Sequence, residues 1–181
     1  IVTPNNRPQL ATVRYKVMNP CERSDDASGE KIICKIDAKK LETTTKILEI
    51  IPKEKVKTIE SADVIVAVGR GVKSKDDIKI FEKLAGLLGG EIACTRPLVE
   101  AGWMDAKRQI GLSGRTVRPR LIIACGISGA VQFTAGMNNS EYIFAINKDE
   151  KAPIFKTANY GIAGDIYEIV PKLIKRIEEG R

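Results

Sequence analysis

"LIIACGISGAVQF", residues 121–133, is the stretch on which the fold turns. It opens with five apolar residues, two of them β-branched, and breaks at Gly126. An apolar run this short, bounded by glycine, reads as a strand buried on both faces. Gly126-Ile127-Ser128-Gly129 then sets one hydroxyl between two glycines before apolar residues resume. So bare a turn, straight after a buried strand, asks what approaches it.

Working outward, the same pattern recurs from Asp63 onward in "DVIVAVG", "EIACT", "YIFAIN" and "APIFKTA". Between these runs lie helical segments. Ser74 with Asp77 makes a capping-box-like start, Ile78, Phe81, Leu84, Ala85 and Leu88 recur at helical spacing, and Gly89 and Gly90 end the helix. A second stripe runs through Ile169, Val170, Leu173, Ile174 and Ile177, with Pro171 placed in a first turn. Strands alternating with helices predict an α/β fold, a Rossmann-like parallel sheet with helices on both faces. Residues 1–60 read as the first strands, "ATVRYKVM" and "EKIICKIDAKK", ahead of a core over 61–181, the whole expected to be one structural domain.

Composition narrows the function. Of 181 residues, 43% are hydrophobic, and no apolar run reaches the roughly 18 residues of a membrane span. Neither a membrane span nor a secretion signal is expected. The +7 net charge suits a phosphate-bearing ligand, but acids are interleaved with the bases and aromatics are only 5%, which argues against a nucleic-acid platform. Cys21, Cys34, Cys94 and Cys125 form no CxxC pair, and reduced thiols in a cytoplasmic setting are expected. The chain has no histidine, so imidazole acid–base catalysis and the usual zinc spacings are excluded, and no metal is expected.

In an open parallel sheet, ligands lie beyond the carboxyl ends of the strands. After the five runs come Gly69-Arg70-Gly71, Thr95-Arg96, Gly126 to Gly129, Asn147-Lys148-Asp149 and Asn159-Tyr160-Gly161. Glycines permit close backbone approach, Ser128 can cap a helix or bond an oxygen, and a phosphate-bearing nucleotide or dinucleotide suits such a rim. Each corner alone is equally an ordinary turn, and Arg96 is equally half of a surface pair with Glu100. Neither GxGxxG nor a P-loop ending is present.

Beyond the rim, "GRGVKSKDDIKIFEKLAGLLGG", "TRPLVEAGW", "QIGLSGRTVRPRLIIACGISGAVQFTAGM" and "SEYIFAINKDEKAPIFKTANYGIAGDIYEIVPKL" occur in that order. They resemble the carboxyl-terminal FAD-binding domain of the electron transfer flavoprotein alpha subunit, whose fold is similar to the deoxyhypusine synthase-like nucleotide-binding fold. The resemblance implies bound FAD and single-electron transfer between a dehydrogenase and an acceptor. It further implies a beta subunit as partner in a heterodimer, and no substrate turnover of the protein's own. By the same resemblance, Arg96 lies over the flavin ring, Thr95 near the pyrophosphate, and Ser113 stands where a hydroxyl reaches the flavin N5. Gln109, Gly111 and Leu112 belong to that loop. Ile127, Ser128, Gly129, Ala130 and Gln132 run along the diphosphate and ribityl chain. Asn147, Lys148 and Asp149 form a further turn, and Asn159 falls on an aspartate of the adenosine end. Leu112-Ser113 replaces Gln-Thr, and Phe133 replaces a histidine. A lost charge-assisted hydrogen bond of about 1.5–3 kcal/mol implies a one-electron potential lower by roughly 60–130 mV. Two readings from other classes stand beside this one: a nicotinamide- or other nucleotide-binding transferase or hydrolase on a similar fold, and a basic nucleic-acid-binding module.

Overall fold

Short apolar runs make five parallel strands: β1 (Val64–Val68), β2 (Glu91–Cys94), β3 (Leu121–Cys125), β4 (Tyr142–Asn147) and β5 (Tyr160–Ala163), the first four mostly buried and the edge strand β5 exposed along its length. The computed structural model describes residues 4–5, 7–12, 21–25, 29–37, 40, 44–51 and 58–180. The strand order is β2-β1-β3-β4-β5, with Val66 beside Ile92 and Ile123, and Ile123 beside Phe144. Because the chain leaves β1 toward β2 and later returns to β1's other side, the order reverses between β1 and β3. That reversal opens a crevice at their carboxyl ends.

The pleat divides the apolar residues between two cores. Val66, Val68, Ile123, Cys125 and Ile146 pack with Phe81 and Leu84 of α1 (Ile78–Leu87) and with Val170 and Ile174 of α5 (Ile166–Glu179). Ile65, Ala67, Ile122, Ala124 and Ala145 turn the other way. They meet Phe133 of α3 (Val131–Thr134), Met137, and Ile154 of α4 (Ile154–Thr157). Each fully buried large side chain contributes roughly 1.5–3 kcal/mol.

Local signals place the helix ends. Asp77 stands at the N-cap position of α1 without a side-chain bond into the helix; its carboxylate instead accepts from the Ser74 amide at 3.0 Å, closing the turn before α1, and from the Tyr167 hydroxyl at 2.7 Å, tying α1 to α5. The Tyr167 bond, outweighing burial, holds the Asp77 carboxyl below its usual range. Gly89 stops α1 at φ 67°.

Three expectations are corrected. "APIFKTA" is not a strand: Ile154–Thr157 is α4, and the strand is Tyr160–Ala163, because so short an apolar run fits either period. Pro171 lies inside α5 rather than in its first turn, since Asp165 caps the helix and starts it at Ile166. Of "EKIICKIDAKK", residues 30–40 and read as a strand, residues 30–37 and 40 carry no strand and are exposed, while residues 38–39, like residues 13–18 of "ATVRYKVM", lie outside the described residues.

The chain divides into two compact units, Ile1–Val17 with Lys57–Arg181, and Met18–Val56. The first holds the sheet. The described residues of the second are exposed and include no strand or α-helix. Among the described residues no helix is long and apolar enough to cross a membrane, and no group of three or more Cys, Asp or Glu is placed to hold a metal.

Candidate functional site

The crevice between the ends of β1 and β3 begins with two corners laced together. Gly69 N–H donates to the Cys125 carbonyl and Gly71 N–H to the Gly126 carbonyl, each at 3.0 Å. A Cβ on Gly71 would lie 2.6 Å from Gly126 Cα, and Gly126 sits at φ 61° with Gly71 Cα 2.8 Å from where its own Cβ would be. Only glycine permits that approach. Gly129 abuts the Ile154 backbone in the same way, at φ 88°. These glycines answer the question of the bare turn: it approaches the neighbouring corner and α4, and Gly69, Gly71, Gly126 and Gly129 do not line the cleft.

Above this floor lies a cleft of about 300 Å³. Arg70, Thr95 and Arg96 contribute from the corners after β1 and β2. Gln109, Gly111, Leu112 and Ser113 contribute from the following loop, and Ile127, Ser128, Ala130, Gln132 and Phe133 from the corner after β3. Two further lining residues, Pro97 and Ile110, escape a reading that looks for polar groups, although each adjoins a residue that reading selects.

The β3 corner has an unusual backbone. The N–H groups of Ile127 through Gln132 make no hydrogen bond among the described residues, and the N-cap of α3 is Ala130, whose methyl side chain cannot accept one. Ser128, expected to cap a helix or bond an oxygen, caps none; its hydroxyl stands exposed and unbonded among the described residues. Amides left unpaired this way attract anions. Arg70 is exposed and forms no ion pair among the described residues. Arg96 does form the plain surface pair, its Nε donating to Glu100 Oε1 at 2.7 Å, while also lining the cleft. Thr95 precedes α2 (Arg96–Glu100) without capping it.

On the opposite wall, Gln109 Nε2 donates to Ser113 Oγ at 3.0 Å. Leu112 is 71% exposed, whereas Phe133 is buried in the apolar cluster of Ile110 and Met137. Asn147 is placed behind the β3 corner, its Nδ2 donating to the Ile127 carbonyl at 2.8 Å. Asp149 closes the same turn, its amide donating to Asn147 Oδ1, and Lys148 is exposed. Neither Asn147, Lys148 nor Asp149 lines the cleft.

Asn159 departs furthest from expectation. Because the strand comes after it, Asn159 lies at the amino end of β5, where its Oδ1 accepts from the Ile143 amide at 2.7 Å. The corner that β5 actually sends to the rim is Gly164-Asp165.

Beneath the rim, burial pushes the Cys94 and Cys125 thiols up to about 12, so both are protonated near neutral pH. With no histidine and no thiolate, the arrangement suits holding a ligand rather than moving protons.

Residues 58–138 match the family model for the electron transfer flavoprotein FAD-binding domain. The chain is 55% identical over 178 residues to the lactate dehydrogenase (NAD(+),ferredoxin) subunit LctC of Acetobacterium woodii, covering 98% of this chain and 43% of that one. It is 47% identical over 180 residues to the electron transfer flavoprotein subunit alpha of Thermoanaerobacterium thermosaccharolyticum, covering 99% and 54%. It is 42% identical over 188 residues to the acryloyl-CoA reductase electron transfer subunit beta of Anaerotignum propionicum, covering 100% and 51%. The chain thus spans about half the length of these relatives.

Proposed function

We propose a function from one premise: this chain carries the FAD-binding domain of the electron transfer flavoprotein alpha family. On this reading it is the FAD-holding part of an electron carrier that passes single electrons between a dehydrogenase and an acceptor. It works with a beta subunit in a cytoplasmic complex and turns over no substrate of its own.

The observation that carries the reading is the run of unpaired amides from Ile127 to Gln132, at the same cleft as the unpaired Arg70. A dinucleotide's phosphates need such donors and such a charge. The cleft fits the group in kind. At about 300 Å³ it is at the small end of ligand sites, with room for one end of a dinucleotide.

When bound, FAD supplies a ring that takes up and gives back electrons one at a time. The chain's residues then divide the work of holding it. The β3-corner amides and Arg70 bind the anionic linkage, supported from behind by Asn147. The Arg96 guanidinium, oriented by Glu100, would set a positive charge at the cleft that favours negative charge gained there. Ser113 offers a hydroxyl, while Ile110, Leu112 and Phe133 exclude water. Asn159 drops out of the proposed site, its side chain being engaged at the other end of the sheet.

The test is an absorbance and fluorescence titration of the purified chain with FAD. Quenched FAD fluorescence with shifted, resolved flavin bands is expected. A chain that leaves both unchanged at micromolar concentrations, or takes NAD instead, overturns the reading.

A further inference from the structure

Gln109 is the one buried polar residue among those described, 7% exposed, and its loop holds it rigidly. The Ile110 amide donates to the Cys94 carbonyl at 3.0 Å, pinning this strand-like segment to the carboxyl end of β2. The Gln109 carbonyl accepts from the Arg115 amide at 2.7 Å. Gly114 folds directly over the side chain: a Cβ there would collide with the Gln109 carbonyl and lie 3.0 Å from its Cγ. A residue so confined keeps its amide in one place. From that place Nε2 donates to Ser113 Oγ at 3.0 Å.

The direction of that bond matters. A serine hydroxyl has one proton and two lone pairs, and it turns to suit its neighbours. With Gln109 donating into one lone pair, the Ser113 proton cannot turn back onto Gln109 Nε2 and is left open, beside the second lone pair, to the cleft. We propose that Gln109 is a positioning residue that holds the Ser113 hydroxyl with its proton turned away from Gln109 and open to the bound ligand. The inference rests on the FAD reading above. Gln109 acts on the ligand through Ser113, whose open proton suits a ligand atom with a lone pair at that wall.

The experiment is a double-mutant cycle read by FAD fluorescence titration, with the absorbance maximum of bound flavin as a second readout and a melting curve on each variant. Ser113→Ala and Gln109→Met are each expected to weaken FAD binding about three- to tenfold, the worth of one hydrogen bond. The double variant should be no weaker than either single one, because the two residues act as one unit. Gln109→Glu, which accepts from the hydroxyl and turns its proton away, should lose at least as much as Ser113→Ala. Ser113→Thr, which keeps the hydroxyl, should retain dependence on Gln109.

Losses that multiply in the double variant overturn the proposal, as does Gln109→Glu binding like the parent. If Gln109→Met melts early, Gln109→Glu and Gln109→Asn, both polar, carry the same comparison. Failure of the parent chain to bind FAD at all would instead sink the function proposed above, and this inference with it.

Discussion

The corners after β3 and β5 stand at the same rim and both lead into helices, yet one leaves six successive amides open and the other pairs most of its own. At the β5 corner the Gly164 amide donates to the Asn147 carbonyl, and Asp165 accepts the Tyr167 amide at 2.8 Å on its side chain. Its carbonyl takes the amides of Glu168 and Ile169. At the β3 corner Ala130 stands where a capping side chain belongs, and six successive amides are left over. Unpaired amides are costly in a fold unless something else satisfies them. One corner therefore spends its amides on structure, and the other leaves donors that suit an anion, as the proposed function requires.

The strongest way to break this contrast is to disturb what shapes the open corner. Gly126→Ala puts a methyl 2.8 Å from Gly71 Cα at φ 61°. It is expected to cost about 2–4 kcal/mol and lower the melting temperature by roughly 5–15 °C, as calorimetry would record. Gly164→Ala meets only the tip of Ile169, a flexible side chain, and should cost far less. Equal losses at the two glycines would show that backbone crowding does not distinguish the corners.

Next in size is converting the open corner into the closed kind. Ala130→Asp supplies a carboxylate at the cap of α3. FAD affinity should fall about tenfold or more while the melting temperature holds or rises, because the added charge competes for the same amides. Unchanged affinity in a fluorescence titration would remove the amides from the account of binding. The reverse change, Asp165→Ala, opens the closed corner and should cost about 1 kcal/mol, a melting shift of roughly 2–4 °C.

The smallest effect is expected at Phe133→His. The family resemblance alone implies a shift of roughly 60–130 mV, the worth of a charged imidazole. Phe133 is only 5% exposed and packed in apolar surroundings, which disfavour the charged ring. A neutral hydrogen bond is worth about 0.5–1.5 kcal/mol, so potentiometry on the FAD-loaded variant should find the potential raised by about 20–60 mV. No shift would mean that position 133 does not sense the ring.

Much of the site was legible because the rule for parallel sheets is local: find a buried strand, then read the residues just past its carboxyl end. That rule picked out Arg70, Thr95, Arg96, Ile127 and Ser128, all of which meet in the cleft, while Ala130, Gln132 and Phe133 came from the family resemblance. It failed at "APIFKTA", where a short run of apolar and small residues satisfies either period, and the error carried Asn159 to the wrong end of the sheet. It also took the glycines for ligand contacts, since one chain segment read alone shows that a glycine is needed but not what presses against it.

By itself the sequence determined the class of structure and the chemistry on offer: β-branched runs that must be buried on both faces, glycine and arginine after them, and no imidazole anywhere. These are properties of neighbours in the chain. Tertiary structure alone decided that Gly71 meets Gly126, that the β3 corner keeps its amides free while Asp165 caps the helix after β5, and that Gln109 donates to the Ser113 hydroxyl. Each depends on strand order and loop closure, which bring together residues that local periodicity cannot relate.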